Sequence, residues 1–222
     1  MLRLLALGDS YTIGEGLEPA DAWPRQLITA LRHKDQLCED PRIIARTGWT
    51  SHDLLQAIDT AAPELTAPYD LVSLLIGVNN QYQGLPMASY EQELEQLIER
   101  ALELNGQRPG RLLMLSIPNW GLTPFAAGRD REAIAAEIKA FNQINARAAY
   151  QRGLLYLNLD SFCNEARRDP RLLSEDQLHY APLMYTRWVK NLILPRVWRL
   201  LQPAKNLHVP LLPQIPLQTE AP

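Results

Sequence analysis

A serine directly follows a short apolar run at the start of the chain. Residues 2–7 read Leu-Arg-Leu-Leu-Ala-Leu, and Gly8, Asp9 and Ser10 come next. Such a run predicts a buried strand that ends where the serine reaches solvent. The serine hydroxyl is therefore a candidate nucleophile, which would need a base, a group to orient that base and donors for an oxyanion.

Histidine is the first choice for the base, and the chain has four of them. His33 lies among charged residues and His208 lies in a Pro-rich segment. His52 is a serious rival, but it falls in the first turn of a predicted helix. His179 follows Asp176 by three residues, a spacing that lets the carboxylate bind the imidazole Nδ1–H and leaves Nε2 facing the serine. We therefore expect His179 to be the base and Asp176 its orienting acid.

Two further positions after predicted strands have groups that can bind an oxyanion. Gly48 has a bare backbone N–H that can approach a substrate oxygen, and Asn79 has a side-chain amide. Both residues also fit ordinary turns. With the N–H of Ser10 they would give three donors to a tetrahedral intermediate. Asp9 is expected to hydrogen-bond the turn that presents the serine, not to act as the triad acid.

The candidate residues depend on strands and helices that alternate along the chain. Five aliphatic runs predict strands, at residues 2–7, 42–46, 71–76, 111–117 and 154–159. Apolar periodicity predicts helices between and after them, at residues 24–33, 51–60, 90–104, 130–152 and 183–201. Capping pairs are predicted at Thr50/Asp53 and Ser89/Gln92. This order predicts an α/β fold with a doubly wound parallel sheet, in which ligands bind at the carboxyl ends of the strands.

Composition and charge narrow the class of protein. The 222 residues suit one domain over residues 1–202 and a Pro-rich tail over residues 203–222. A net charge of −3 without a basic stripe argues against nucleic-acid binding. No run reaches the roughly 18 apolar residues of a membrane span, and the N-terminal run is too short for a signal peptide, so we expect a cytoplasmic protein. Cys38 and Cys163 lack metal-ligand spacing and are expected to be reduced thiols.

Aromatic residues near the predicted strand ends are candidates for a substrate pocket, because loops at this edge commonly set specificity. These candidates are Tyr11, Trp49, Tyr82, Trp120 and Phe125. The same side chains also fit a role as buried loop anchors. The polar neighbours Gln81 and Gln83 keep a sugar ester open as a substrate.

Four sequence blocks together resemble the SGNH, or GDSL, hydrolase family, and the bacterial lysophospholipase-like and arylesterase-like members are the most similar branches. The blocks are residues 6–10, Gly48, residues 77–80 and residues 176–179. The resemblance implies a flavodoxin-like three-layer α/β/α fold with a five-stranded parallel sheet in the order 2-1-3-4-5. Two positions depart from the family pattern: Asn80 replaces the usual Asp, and Tyr180 replaces a frequent Pro.

The same resemblance implies the roles of the site residues. Ser10 would be the nucleophile, His179 the base and Asp176 its acid, with Ser10, Gly48 and Asn79 forming the oxyanion hole. The expected activity is hydrolysis of a small-molecule ester through an acyl-enzyme, with no metal and no cofactor. Two alternatives stay open: a decayed binding module of the same fold, and a carbohydrate O-acetyl esterase. A nucleotide-binding domain is disfavoured because its glycine-rich motifs are missing.

Overall fold

The sheet is built from five parallel strands. A computed structural model of the protein describes residues 1–202, so the predicted tail at residues 203–222 lies outside the described residues. The strands are β1 (Leu4–Gly8), β2 (Arg42–Ala45), β3 (Leu71–Leu75), β4 (Leu112–Leu115) and β5 (Leu155–Leu157). Their spatial order is β2-β1-β3-β4-β5, and every neighbouring pair is parallel. The predicted order 2-1-3-4-5 is confirmed.

Helices connect and flank these strands. The α-helices are α1 (Ser10–Ile13), α2 (Trp23–Arg32), α3 (Ser51–Ala61), α4 (Val78–Tyr82), α5 (Met87–Leu104), α6 (Arg131–Arg152), α7 (Asp160–Arg168), α8 (Pro182–Trp188) and α9 (Leu194–Leu201). A π-helical segment joins α8 to α9 at Val189–Ile193. Short 3₁₀ turns occur at Pro19–Asp21, Ala62–Glu64, Pro109–Arg111, Trp120–Leu122, Pro124–Ala126 and Pro170–Leu172.

The sheet lies between two helical layers. Every residue of β1, β3 and β4 is buried, so these strands need apolar cover on both faces. On one side α2 packs against α8 and α9, and α7 packs against α8; on the other, α5 packs between α3 and α6. In the register of the sheet, Gly8 lies opposite Ala45 and Leu75, so the ends of the first three strands share one edge.

Two predictions about the helices need correction. The capping pair Ser89/Gln92 is wrong, because α5 begins at Met87 directly after Pro86 and Ser89 already lies in the first turn. The single last helix predicted at residues 183–201 is interrupted by the π-helical segment. Pro195 explains this, since it has no N–H to donate to a carbonyl one turn earlier. The capping pair at Thr50/Asp53 is present.

The described residues also bear on two predictions from composition. Cys38 and Cys163 are buried free thiols, as expected. Within residues 1–202, no helix has both the length and the apolar character that a membrane span requires.

Candidate active site

The turn between β1 and α1 presents Ser10. Asp9 caps α1, and its Oδ1 accepts the backbone N–H of Tyr11 at 3.0 Å. Gly8 has no space for a side chain, because a Cβ atom there would overlap the Thr12 hydroxyl and lie 2.5 Å from the Leu75 carbonyl oxygen. Because residue 8 has no side chain, the strand can turn sharply into the helix, and Ser10 starts α1 at the sheet edge.

A chain of hydrogen bonds connects Asp176, His179 and Ser10. The Nε2 atom of His179 lies 2.9 Å from the Ser10 Oγ, and its Nδ1 lies 2.6 Å from the Asp176 Oδ2. The other carboxylate oxygen accepts the backbone N–H groups of Leu178 and His179, each at 2.9 Å. An ionised carboxylate only accepts hydrogen bonds, so it favours the tautomer with the proton on Nδ1. In that tautomer Nε2 is free to accept the serine proton.

The surroundings of Asp176 favour its ionised form. Partial burial raises the pKa of this carboxyl, but the hydrogen bonds from the His179 side chain and from the Leu178 and His179 N–H groups lower it further, so the pKa lies below its ordinary value. His179 itself is buried, and its ring packs against Tyr11 with 5.3 Å between centroids. Asp176 and Tyr11 together restrict the imidazole to the orientation that faces the serine.

Gly48 and Asn79 lie beside Ser10 on the same cavity. Gly48 has φ +82°, a conformation that favours glycine, and a Cβ there would meet nothing within 4 Å. Its N–H and that of Ser10 donate to no backbone carbonyl of residues 1–202. The Nδ2 of Asn79 donates one of its two hydrogens to the Trp49 carbonyl oxygen, 2.8 Å away, and this bond orients the second hydrogen. The three residues that have these donors thus line one cavity.

The cavity next to the serine has a volume of about 210 Å³ and mostly apolar walls. It is lined by Ser10, Tyr11, Thr47, Gly48, Val78, Asn79, Tyr82, Trp120, Phe125, Leu178 and His179. Trp49, which was also expected to line the pocket, is not among these residues: its partly buried side chain packs against the hydrophobic core, and its backbone carbonyl accepts a hydrogen bond from Asn79. A larger cavity of about 490 Å³ between α6 and α7 contains none of these residues.

Three aromatic side chains form one wall of the cavity. The ring of Trp120 lies 5.4 Å from that of Tyr82 and 6.1 Å from that of Phe125, both edge to face. The Arg129 guanidinium lies over all three rings at 5.1 to 5.5 Å and donates to the Tyr82 hydroxyl. Gln81, by contrast, is buried and accepts the indole N–H of Trp120 at 2.7 Å, so it supports the wall from behind.

The rival base His52 does not approach the serine. Its side chain is 62% exposed, with Nδ1 3.6 Å from a Glu93 oxygen and Nε2 2.9 Å from the Gln56 amide. His33 is exposed as well, and His208 lies outside the described residues. Among residues 1–202, no three His, Cys, Asp or Glu side chains cluster closely enough to hold a metal ion.

Some contributors to the site had no signal in the sequence. Ser51 binds both Asn80 and Glu93, and Arg129 covers the aromatic wall. Ser51 lies 29 positions from Asn80 and 42 from Glu93, and Arg129 lies 47 positions from Tyr82, so neither a motif nor a periodicity could have pointed to these contacts.

Fold and site together define a class of protein. It is a three-layer α/β/α hydrolase with serine, histidine and aspartate at the carboxyl edge of a parallel sheet, beside an apolar cavity. The profile of the GDSL-like lipase/acylhydrolase family matches residues 6–187, and the chain belongs to that family. It is therefore a carboxylic ester hydrolase of the GDSL, or SGNH, type.

Solved structures share this fold at low sequence identity. The crystal structure of TesA has a TM-score of 0.66 at 22% identity, over 90% of this chain and 98% of that one. The psychrotrophic esterase EstA from Pseudoalteromonas sp. has a TM-score of 0.66 at 18% identity, over 90% and 99%. A variant of Axe2, an acetyl xylan esterase from Geobacillus stearothermophilus, has a TM-score of 0.66 at 18% identity, over 88% and 94%. No curated protein sequence matches the chain.

Proposed function

We propose that the protein hydrolyses a carboxylic ester through an acyl-enzyme on Ser10. The observation that carries this proposal is the hydrogen-bonded chain from Asp176 through His179 to Ser10, which opens on the cavity. The Nε2 atom of His179 takes the Oγ proton as Oγ attacks the ester carbonyl carbon. The same proton then goes to the leaving alcohol as the carbon–oxygen bond breaks. A water molecule repeats both steps on the acyl-enzyme, releasing the acid and the free serine.

Stabilisation of the oxyanion is the second part of the proposal. The N–H groups of Ser10 and Gly48 and the free amide hydrogen of Asn79 would bind the negative carbonyl oxygen of the tetrahedral intermediate. Such donors are effective because they are already oriented before charge develops. The Asn79–Trp49 hydrogen bond supports this role, since it holds the amide in place without using both hydrogens.

The cavity supports a small ester as substrate. Its volume of about 210 Å³ lies below the range of roughly 300–1,000 Å³ that is usual for ligand pockets. The aromatic wall of Tyr82, Trp120 and Phe125 offers flat apolar contact to a short acyl or aryl group. An arylesterase-like preference for short chains therefore fits better than lysophospholipase-like activity, because a long acyl chain would have to extend out of the cavity.

A carbohydrate O-acetyl ester is the second candidate substrate. An acetyl group needs little space, which agrees with the small cavity, and aromatic faces such as that of Tyr82 can pack against a sugar ring. The structural likeness to the acetyl xylan esterase Axe2 adds to this candidate. Release of acetate from acetylated xylan, compared with hydrolysis of p-nitrophenyl acetate, separates it from a simple arylesterase.

The experiment that tests the mechanism combines covalent labelling with a substrate series. A fluorophosphonate should label the wild-type protein and not the Ser10→Ala variant. Hydrolysis of p-nitrophenyl esters should be fastest for acetate or butyrate and fall for longer chains. Absence of labelling in the folded wild-type protein would favour the decayed binding module. Full activity of Ser10→Ala would show that another group is the nucleophile.

A further inference from the structure

The two loops that contain Gly48 and Asn79 are tied together by hydrogen bonds. In addition to the bond from Asn79 to the Trp49 carbonyl, the neighbouring Asn80 binds Ser51 twice. Its Oδ1 accepts the Ser51 backbone N–H at 2.9 Å, and its Nδ2 lies 2.6 Å from the Ser51 Oγ. Both side chains are fully buried. The distance between the two proposed oxyanion donors therefore depends on this connection.

These hydrogen bonds have a defined direction. The Ser51 backbone N–H can only donate, so it fixes the Asn80 amide with Oδ1 toward the backbone and Nδ2 toward the hydroxyl. The Ser51 hydroxyl has one proton and gives it to the Glu93 carboxylate on α5. The donor order is thus Asn80 to Ser51 to Glu93. The Glu93 side chain is 21% exposed, and its other oxygen faces His52.

We propose that Asn80 is a positioning residue, and that the Asn80–Ser51–Glu93 relay sets the spacing of Gly48 and Asn79 in the oxyanion hole. The inference rests on the proposed function, because it assumes that those two residues bind the oxyanion. It also accounts for the departure from the family pattern at this position. With Glu93 already accepting the only proton of the Ser51 hydroxyl, residue 80 must donate, and an amide does so where a carboxylate does not.

The relay makes a specific prediction about paired substitutions. In Asn80→Asp, the carboxylates of residues 80 and 93 both need the single proton of the Ser51 hydroxyl. The one that does not receive it is an unsatisfied charge near the loops that contain Gly48 and Asn79. Adding Glu93→Gln restores both hydrogen bonds with the donor order reversed. The new amide can donate to the Ser51 Oγ, and the Ser51 hydroxyl can donate to residue 80. Glu93→Gln alone keeps an acceptor for the hydroxyl and should cost little.

The test measures kcat and KM for p-nitrophenyl acetate, with thermal unfolding as the check on folding. We expect Asn80→Asp to lower kcat by about 10- to 100-fold while KM stays within about threefold, because the misplaced donors act mainly in the transition state. The double variant Asn80→Asp/Glu93→Gln should recover most of kcat. Asn164→Asp, which makes the same change at an exposed amide, should behave like the wild type.

The outcomes separate the relay from the proposed mechanism. If Ser10→Ala is inactive, two results overturn the relay and leave the mechanism standing. One is a wild-type kcat in Asn80→Asp, and the other is a double variant that is as slow as Asn80→Asp alone. An active Ser10→Ala overturns the mechanism and the relay with it. If Asn80→Asp does not fold, recovery in the double variant still supports the relay. If neither folds, Ser51→Ala decides: the relay predicts about a tenfold loss of kcat, and an unchanged kcat contradicts it.

Discussion

The Nε2 atom of His179 lies 2.9 Å from the Oγ atom of Ser10, although 169 positions separate the two residues along the chain. Different elements hold the two side chains. The turn from β1 into α1 presents the serine. The loop after α7 presents the histidine, and the bonds of Asp176 to the backbone and to the imidazole brace this loop. Four predictions follow from the surroundings of this contact.

Asp176→Asn should reverse the tautomer of His179. The Asn Oδ1 would keep the two backbone N–H groups, so its amide would point an N–H at Nδ1. The imidazole would then place its proton on Nε2, which could no longer accept from Ser10. We expect kcat for p-nitrophenyl acetate to fall by about 10³- to 10⁴-fold with little change in the unfolding midpoint. Asp160→Asn, at an exposed position, is the matched control, and comparable activity of the two variants would contradict the role of Asp176.

Gly8→Ala should displace the nucleophile. The added methyl group would overlap the Thr12 hydroxyl and lie 2.5 Å from the Leu75 carbonyl oxygen, so the turn into α1 has to move. We expect slower fluorophosphonate labelling of Ser10 and a lower unfolding midpoint. Gly110→Ala is the control, because a Cβ there meets nothing within 4 Å and the backbone needs no positive φ. Wild-type labelling in Gly8→Ala would mean that the turn has room to adjust.

Asp9 should make stability depend on pH. Burial raises its pKa to about 7 against the ordinary value of 3.8, and its Oδ2 has no hydrogen-bond partner within the described chain. Between pH 4 and pH 7 the folded protein therefore retains a proton that the unfolded chain has lost. The free energy of unfolding should fall by an amount on the order of 4 kcal/mol as the pH rises through this window, and should level off above about pH 7.

Urea unfolding at several pH values tests this assignment. Asp9→Asn has no group to titrate at this position, so its advantage over the wild type should grow from pH 4.5 to pH 8. Asp35→Asn, an exposed replacement of the same kind, should keep the pH dependence of the wild type. Parallel curves for the wild type and Asp9→Asn would show that Asp9 is ionised throughout.

Arg129→Ala should loosen the aromatic wall of the cavity. The guanidinium holds Tyr82 and Phe125, which are both partly exposed, against the buried Trp120. Each contact of this kind contributes about 0.5–1 kcal/mol at an exposed site, so we expect KM for p-nitrophenyl butyrate to rise by roughly three- to tenfold with kcat nearly unchanged. Arg167→Ala removes an exposed arginine elsewhere. An equal rise in KM for both substitutions would show that the overall charge of the protein, and not the aromatic wall, causes the effect.

Much of the fold was readable from the chain. The aliphatic runs located all five strands, because strands buried on both faces must be apolar at every position. Strand ends were less accurate: β4 is shorter than its run of residues 111–117, since Pro109–Arg111 forms a 3₁₀ turn and the residues after Leu115 leave the ladder. Helix α7 had no prediction at all. It is nine residues long and strongly polar, so its apolar stripe is short.

By itself, the sequence determined the order of the elements and the residue types available at the strand ends. The spacing of Asp176 and His179 is local, so the bond between their side chains could be foreseen from three positions of chain. Tertiary structure alone decided which distant groups meet. It packed Trp49 against the core, set Arg129 over the aromatic wall and linked Asn80 through Ser51 to Glu93. Such contacts depend on how loops and layers pack, and packing across the sheet leaves no periodic trace in the sequence.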